Sequence, residues 1–139
     1  DDNLPPHDGL HLLLDTARSM DEPAVSGLYY MKRFPPAEAI MWKNDRPGPL
    51  IAGVDFEVGD QVRVDGCGLD FILLRTDALA ELPPLKFRTV VEWLPGSGMR
   101  LQTEDSFFFD RWLEVFGRGP IVDTRCRVGH LDARTGGIY

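Results

Sequence analysis

Apolar residues in this chain fall in short runs separated by turn residues, and their spacing changes from one run to the next. After Asn3-Leu4-Pro5-Pro6, a turn whose prolines hold the preceding residues out of a helix, Leu10, Leu13, Leu14 and Ala17 recur at i, i+3, i+4 and i+7. That spacing predicts a helix over 9–19, with Asp8 as its N-cap and Pro23 as a stop. Residues 24–31, with Val25, Leu28, Tyr29 and Tyr30, predict a strand, and residues 38–43 a second one. Val54, Phe56 and Val58 alternate with polar residues, as do Val62 and Val64, and Gly59-Asp60 stands between the two sets. This pattern predicts a β-hairpin.

Gly66-Cys67-Gly68 then precedes an apolar run over 71–74, and Thr76 or Asp77 caps a short helix ending near Leu82, before Pro83-Pro84. Residues 87–94 fit a strand or a helix equally well, and 95–98 read as a loop. The strongest helix covers 104–116, with Thr103 at its N-cap, Glu104 and Asp105 in its first turn and Gly117 just past its end. A last strand over 121–128 leads into a polar tail. Strands interspersed with helices, without internal repeats, give the chain an α/β or α+β character that includes a β-hairpin.

Composition narrows the function classes. The 139 residues suit one domain, and 43% hydrophobic residues suffice for a packed core. The net charge of −7 disfavours nucleic acid, whose phosphates need a basic face, and disfavours anionic membrane surfaces. No apolar run approaches the roughly 18 residues of a spanning helix, and no leader pattern is visible, so a cytoplasmic location without a transmembrane segment is expected. Cys67 and Cys126 form no C-x-x-C pair and read as reduced, buried thiols. The first residue is Asp1 rather than Met, which reads as a piece of a longer or processed chain.

Several residues have the chemistry of a site. Asp1 and Asp2 offer hard oxygen ligands for Mg²⁺ or Mn²⁺, or else form a solvated terminus. Asp105 shares a helix face with Phe108, Phe109, Trp112 and Phe116, where a partly desolvated carboxylate serves as a general base; the alternative is an acid that only complements the helix dipole. His130, after the last strand, is a metal ligand or a structural histidine. His7 and His11 are four apart but lack the H-E-x-x-H pattern of a zinc helix. Gly66 and Gly68 allow a close backbone approach to a ligand or a neighbouring strand. The common phosphate-binding loops and the hydrolase nucleophile elbow are absent, and neither cysteine has a neighbouring base.

The order of these features resembles family 2-type glycosyltransferases with the GT-A fold. In TEDSFFFDRWLEVFGRGPIVDTRCRVGHL, residues 103–131, an E-D pair opens a helix, Arg111 follows, Gly117 ends the helix, and a strand leads to His130. Upstream, residues 65–75 look like the family's glycine-containing strand ending in an arginine, and Val25-Ser26-Gly27-Leu28-Tyr29 like the strand after the metal-motif helix. Asp1-Asp2-Asn3 is similar to the end of the metal-binding D-x-D motif.

The resemblance implies a fold and a set of roles. The chain would be the C-terminal portion of a GT-A domain, an α/β fold with a mixed sheet, flanking helices and a β-hairpin, one unit over 1–139, lacking the N-terminal nucleotide-binding half and inactive by itself. Asp1, Asp2 and His130 would hold a divalent Mn or Mg ion on the diphosphate of a nucleotide-sugar donor. Asp105 would deprotonate an acceptor hydroxyl with inversion, Glu104 would orient the acceptor or the nearby backbone, and Gly66, Cys67, Gly68 and Arg111 would contact substrate. Arg111-Trp112 is similar to part of the Q-x-x-R-W motif of processive synthases but lacks its glutamine. A non-catalytic binding module on the same fold and a metal-dependent phosphoester hydrolase remain as alternatives.

Overall fold

The computed structural model describes residues 3–31, 38–43, 54–96 and 98–138. In chain order its elements are β1 (Asn3–Leu4), α1 (Gly9–Met20), β2 (Ala24–Leu28), β3 (Met41–Trp42), β4 (Gln61–Arg63), β5 (Gly66–Cys67), β6 (Ile72–Leu74), α2 (Thr76–Glu81), β7 (Val90–Leu94), β8 (Gly98–Gln102), α3 (Glu104–Phe116), β9 (Ile121–Arg127), β10 (Gly129–Asp132) and β11 (Gly137–Ile138). This is an α/β architecture with mixed sheets, and the expected class stands.

The central sheet has the order β4-β9-β2-β6. β2 pairs parallel with β9 and antiparallel with β6, and β4 pairs antiparallel with β9. All five residues of β2 are buried, the pattern of a strand covered on both faces rather than one. Successive side chains point to opposite faces, so Val25 and Ile121 join Leu13 of α1 in one core, while Ala24, Leu28 and Val122 join Phe108, Phe109 and Trp112 of α3 in the other. The result is three layers, helix on sheet on helix.

α3 forms where its signals stand. The Thr103 side chain accepts from the Ser106 N–H, Glu104 and Asp105 occupy the first turn, and Gly117 closes the helix at φ 66°. Phe108, Phe109 and Trp112 are fully buried and stack edge-on or tilted against one another. Burying such a side chain stabilises the fold by about 1.5–3 kcal/mol.

Elsewhere tertiary pairing overrides local pattern. The hairpin expected over 54–64 does not form: residues 54–57 are not strand, and β4 pairs with β9 instead. The reason is a better partner. Thr124 Oγ1 of β9 donates to the carbonyls of Asp60 and Glu57 and accepts from the Gly59 N–H, tying that turn to the sheet. The hairpin that does form pairs β7 with β8. The strand over 38–43 shrinks to β3, with an isolated Tyr30–Ala39 bridge beside it. Residues 65–75 are not one strand: β5 pairs with β3, and β6 pairs with β2 in the central sheet. The expected polar tail contains β10 and β11, which pair with each other, and β10 also pairs with β1. Asp8 stands at the N-cap of α1 without a side-chain capping bond, and Arg75, not Thr76 or Asp77, precedes α2. Both cysteines are free and buried, as expected.

One polar cluster lies inside the α1 layer. Asp123 is fully buried; it accepts from Thr16 Oγ1 at 2.6 Å and from Arg125 Nη2 at 2.6 Å, while Gln61 Nε2 donates to Thr16 Oγ1 at 2.9 Å. Burial alone pushes this carboxyl up, but the hydrogen bonds from Arg125 and Thr16 outweigh it and hold the acid below its ordinary value. A depressed carboxyl pKa contributes stability above the unfolded value of about 3.9 and loses it as pH falls through the folded value. Asp123→Asn is therefore expected to cost about 2–3 kcal/mol at pH 7 by urea titration, less than a fully enclosed pair because Arg125 reaches solvent. The gap from the wild type should close below about pH 4. A gap that widened on acidification would show that Asp123 is not held ionised.

Candidate functional site

β2 and β9 run parallel, and both end on the same side of the sheet. α3 precedes β9 in the chain and runs back against it, so the start of α3 lies near the strands' carboxyl ends. In open α/β sheets this is where ligands bind, because strand ends and helix N-termini leave a crevice there. Tyr29, Tyr30 and Met31 follow β2, and His130 lies in β10 just beyond β9.

Asp105 enters this crevice from the first turn of α3. It lines a cavity of about 210 Å³ together with Met31, Ile40, Trp42, Leu101, Thr103 and Ser106. Most of these neighbours are apolar, and the half-buried carboxyl is pushed up to about 6. Burial is the main cause, followed by the charges of Glu104 and Asp70, and a hydrogen bond from the Leu69 N–H opposes them. An acid titrating near 6 is mostly ionised at neutral pH yet basic enough to take a proton in a transition state.

The wall behind Asp105 is aromatic. Trp42 lies against Gly66 and Tyr29 Oη against Gly68 so closely that a Cβ on either glycine would overlap the ring or the hydroxyl. Gly66, Cys67 and Gly68 are buried, and the close approach they allow is to these two side chains. Tyr29 Oη accepts from the Asp70 N–H at 3.3 Å. Its phenol is held neutral, well above its ordinary range, by burial and then by the nearby Cys67, with Asp70 and Asp105 adding. Burial also pushes the Cys67 thiol up to about 12, so it is no thiolate nucleophile.

His130 joins the same wall through Tyr29, whose ring it meets edge-on at 6.4 Å between centroids. Its Nδ1 lies 3.0 Å from the Tyr30 carbonyl oxygen. A carbonyl only accepts, so Nδ1 donates to it and the contact fixes the orientation of the ring. Metal-ligating histidines are commonly oriented through such a backbone carbonyl. Asn3 of β1 is paired directly opposite His130 in β10, and its buried side-chain oxygen accepts no hydrogen bond among the described residues. Asp1 and Asp2, the other expected ligands, lie outside the described residues.

The remaining candidates fall differently. Glu104 is exposed and accepts from Thr89 Oγ1 at 3.1 Å. Arg111 pairs with Glu114 at 2.6 Å and lies over the Phe107 ring, away from the residues that line the Asp105 cavity. His7 and His11 are both exposed, and no group of three metal-binding side chains occurs among the described residues. A larger cavity of about 420 Å³ opens at the other end of β2, beside Glu22 and Pro23. Its acids are paired, Glu22 with Arg63 and Arg118 and Asp21 with Arg75, which leaves it little reactive chemistry. Sequence reasoning missed Tyr29, Trp42 and Asp70. Two adjacent tyrosines in the strand expected over 24–31 were the signal available for Tyr29; for Trp42 and Asp70 there was none.

A raised carboxyl pKa is a stability cost above that pKa. The folded state holds the proton more tightly than the unfolded chain, so stability falls as pH rises from about 4 to about 6 and stays lower beyond. Asp105→Asn, which never ionises, should melt higher than the wild type at pH 7.5, by about 1 kcal/mol or about 4 °C after solvent screening. Below about pH 4 the two should coincide. A lower melting temperature for the variant at pH 7.5 would make Asp105 an acid that only serves the helix dipole.

No family model matches this chain, and no curated protein matches it. Among solved structures it is similar to the crystal structure of A197 from STIV, with a TM-score of 0.58 and 16% sequence identity. The likeness covers 99% of this chain and 60% of that one, so the chain spans three fifths of the length of its structural neighbour. At this identity the two share a fold, and the likeness extends no further.

Proposed function

We propose that the chain is the acceptor-side, catalytic part of a metal-dependent, inverting glycosyltransferase with the GT-A fold, taking a sugar from a nucleotide-diphosphate donor to an acceptor hydroxyl. The observation that carries this reading is Asp105: a half-buried carboxyl near pKa 6, in a small, mostly apolar cavity at the carboxyl ends of the parallel strands. The ordered resemblance over 103–131 supports it.

Asp105 would accept the proton of the acceptor hydroxyl as that oxygen attacks the anomeric carbon. The apolar neighbours Met31, Ile40, Trp42 and Leu101 exclude water from the carboxyl, which raises its basicity and limits wasteful hydrolysis. Glu104 would hold the acceptor side of the crevice near Thr89. Tyr29 would keep the wall rigid, its neutral hydroxyl wedged against Gly68.

The chemistry of the donor set fits a hard divalent cation. His130, oriented through Nδ1 by the Tyr30 carbonyl, would contribute an imidazole ligand, and Asp1 and Asp2 would add carboxylate oxygen, a combination that suits Mn²⁺. When bound, such an ion would supply positive charge that offsets the charge of a diphosphate leaving group. His130 and Asp105 would then serve the two ends of one transferred sugar.

In the full chain, Asp105→Asn should lower kcat by about 10²–10⁴-fold while leaving donor-nucleotide affinity, read by calorimetry, nearly intact. Wild-type activity should rise with pH through an apparent pKa near 6, since the working form is the ionised base. His130→Ala should instead weaken Mn²⁺ binding in the presence of a nucleoside diphosphate. Wild-type turnover in Asp105→Asn would place the base elsewhere.

A further inference from the structure

The β7–β8 hairpin carries an apolar face that runs into the Asp105 cavity. In its register Val91 lies opposite Leu101 and Trp93 opposite Met99. Residues two apart on a strand share a face, so these four side chains stand together. They are exposed by 63, 55, 75 and 67%, in that order. Apart from the indole N–H, the face offers no hydrogen-bonding group. Leu101 belongs to both places: it is part of this face and lines the cavity that holds Asp105.

Size and charge narrow the occupant. Four exposed residues fall well short of the roughly 20–30 residues a side in a stable dimer interface. The chain's net charge of −7 opposes an anionic bilayer. A saccharide would find one aromatic ring and no polar groups to match its hydroxyls. What fits is an alkyl or aryl group, long enough to lie along the hairpin while its other end enters the cavity.

We propose that this face seats the apolar portion of the acceptor, so that the acceptor is an amphiphile whose hydroxyl reaches Asp105 while its tail lies on Val91, Trp93, Met99 and Leu101. Naming the occupant an acceptor rests on the transferase reading; the apolar seat is tested by binding alone.

Trp42 and Trp112 are buried, so acrylamide-accessible tryptophan fluorescence reports on Trp93. With the full chain, monomeric n-octyl β-D-glucoside below its micellar concentration should protect Trp93 from acrylamide and shift its emission to the blue, saturably. Methyl β-D-glucoside should do neither. Val91→Thr combined with Met99→Gln, both at exposed positions, should weaken the protection at least about tenfold with the melting temperature unchanged. Asp105→Asn should leave the protection intact, so loss of turnover and loss of the seat are read separately. Absent protection would overturn the proposal even if sugar transfer to water-soluble acceptors proceeds. So would protection that grows with protein concentration alone, which marks a second copy, or protection by phosphatidylcholine vesicles but not by the monomeric glucoside, which marks a bilayer.

Discussion

Everything in this molecule is arranged around a strand with no solvent face. β2 is buried along its whole length between β9 and β6, with α1 on one side and α3 on the other. A strand so placed must satisfy its backbone on both edges and fill two cores with alternate side chains. Both edges are satisfied, in parallel by β9 and antiparallel by β6. The parallel pairing matters most, because it brings the carboxyl ends of β2 and β9 to one end of the sheet and requires a crossover between them. α3 serves as that crossover, which places its first turn, with Asp105, at the same end.

The crevice at that end combines rigidity with poor solvation. Trp42 and Tyr29 sit against two glycines that leave no space for a side chain, so the wall has little freedom to relax. Asp105 stands in front of that wall with its charge only partly solvated and two other acids nearby. A carboxylate in such surroundings lowers stability at neutral pH. Asp123 offers the contrast within one protein. It is more deeply buried than Asp105, but Thr16 and Arg125 meet its oxygens, and its pKa moves down rather than up. One acid is stabilised as an ion and holds α1 to the sheet; the other is kept basic.

Local chemistry along the chain was enough to determine α1 and α3 and the strands β2 and β9. In each case period, caps and apolar runs agree with the tertiary environment, as with Thr103, the first-turn acids and Gly117 around α3. Asp105 was legible as a rim carboxylate because helical period places it on the same stripe as Phe108, Phe109 and Trp112. The alternation of Val54, Phe56, Val58, Val62 and Val64 was equally clear and did not decide the pairing. β4 gains more from β9, which lies inside the sheet, than from a neighbour across a two-residue turn. The proximity of His130 to Tyr29 and its bond to the Tyr30 carbonyl, the paired ions around Asp123, and the apolar face shared by Val91, Trp93, Met99 and Leu101 all depend on contacts between distant segments. Periodicity within one element carries no information about which second element will meet it. Only the closing of β2 against β9, and the register that followed, decided those.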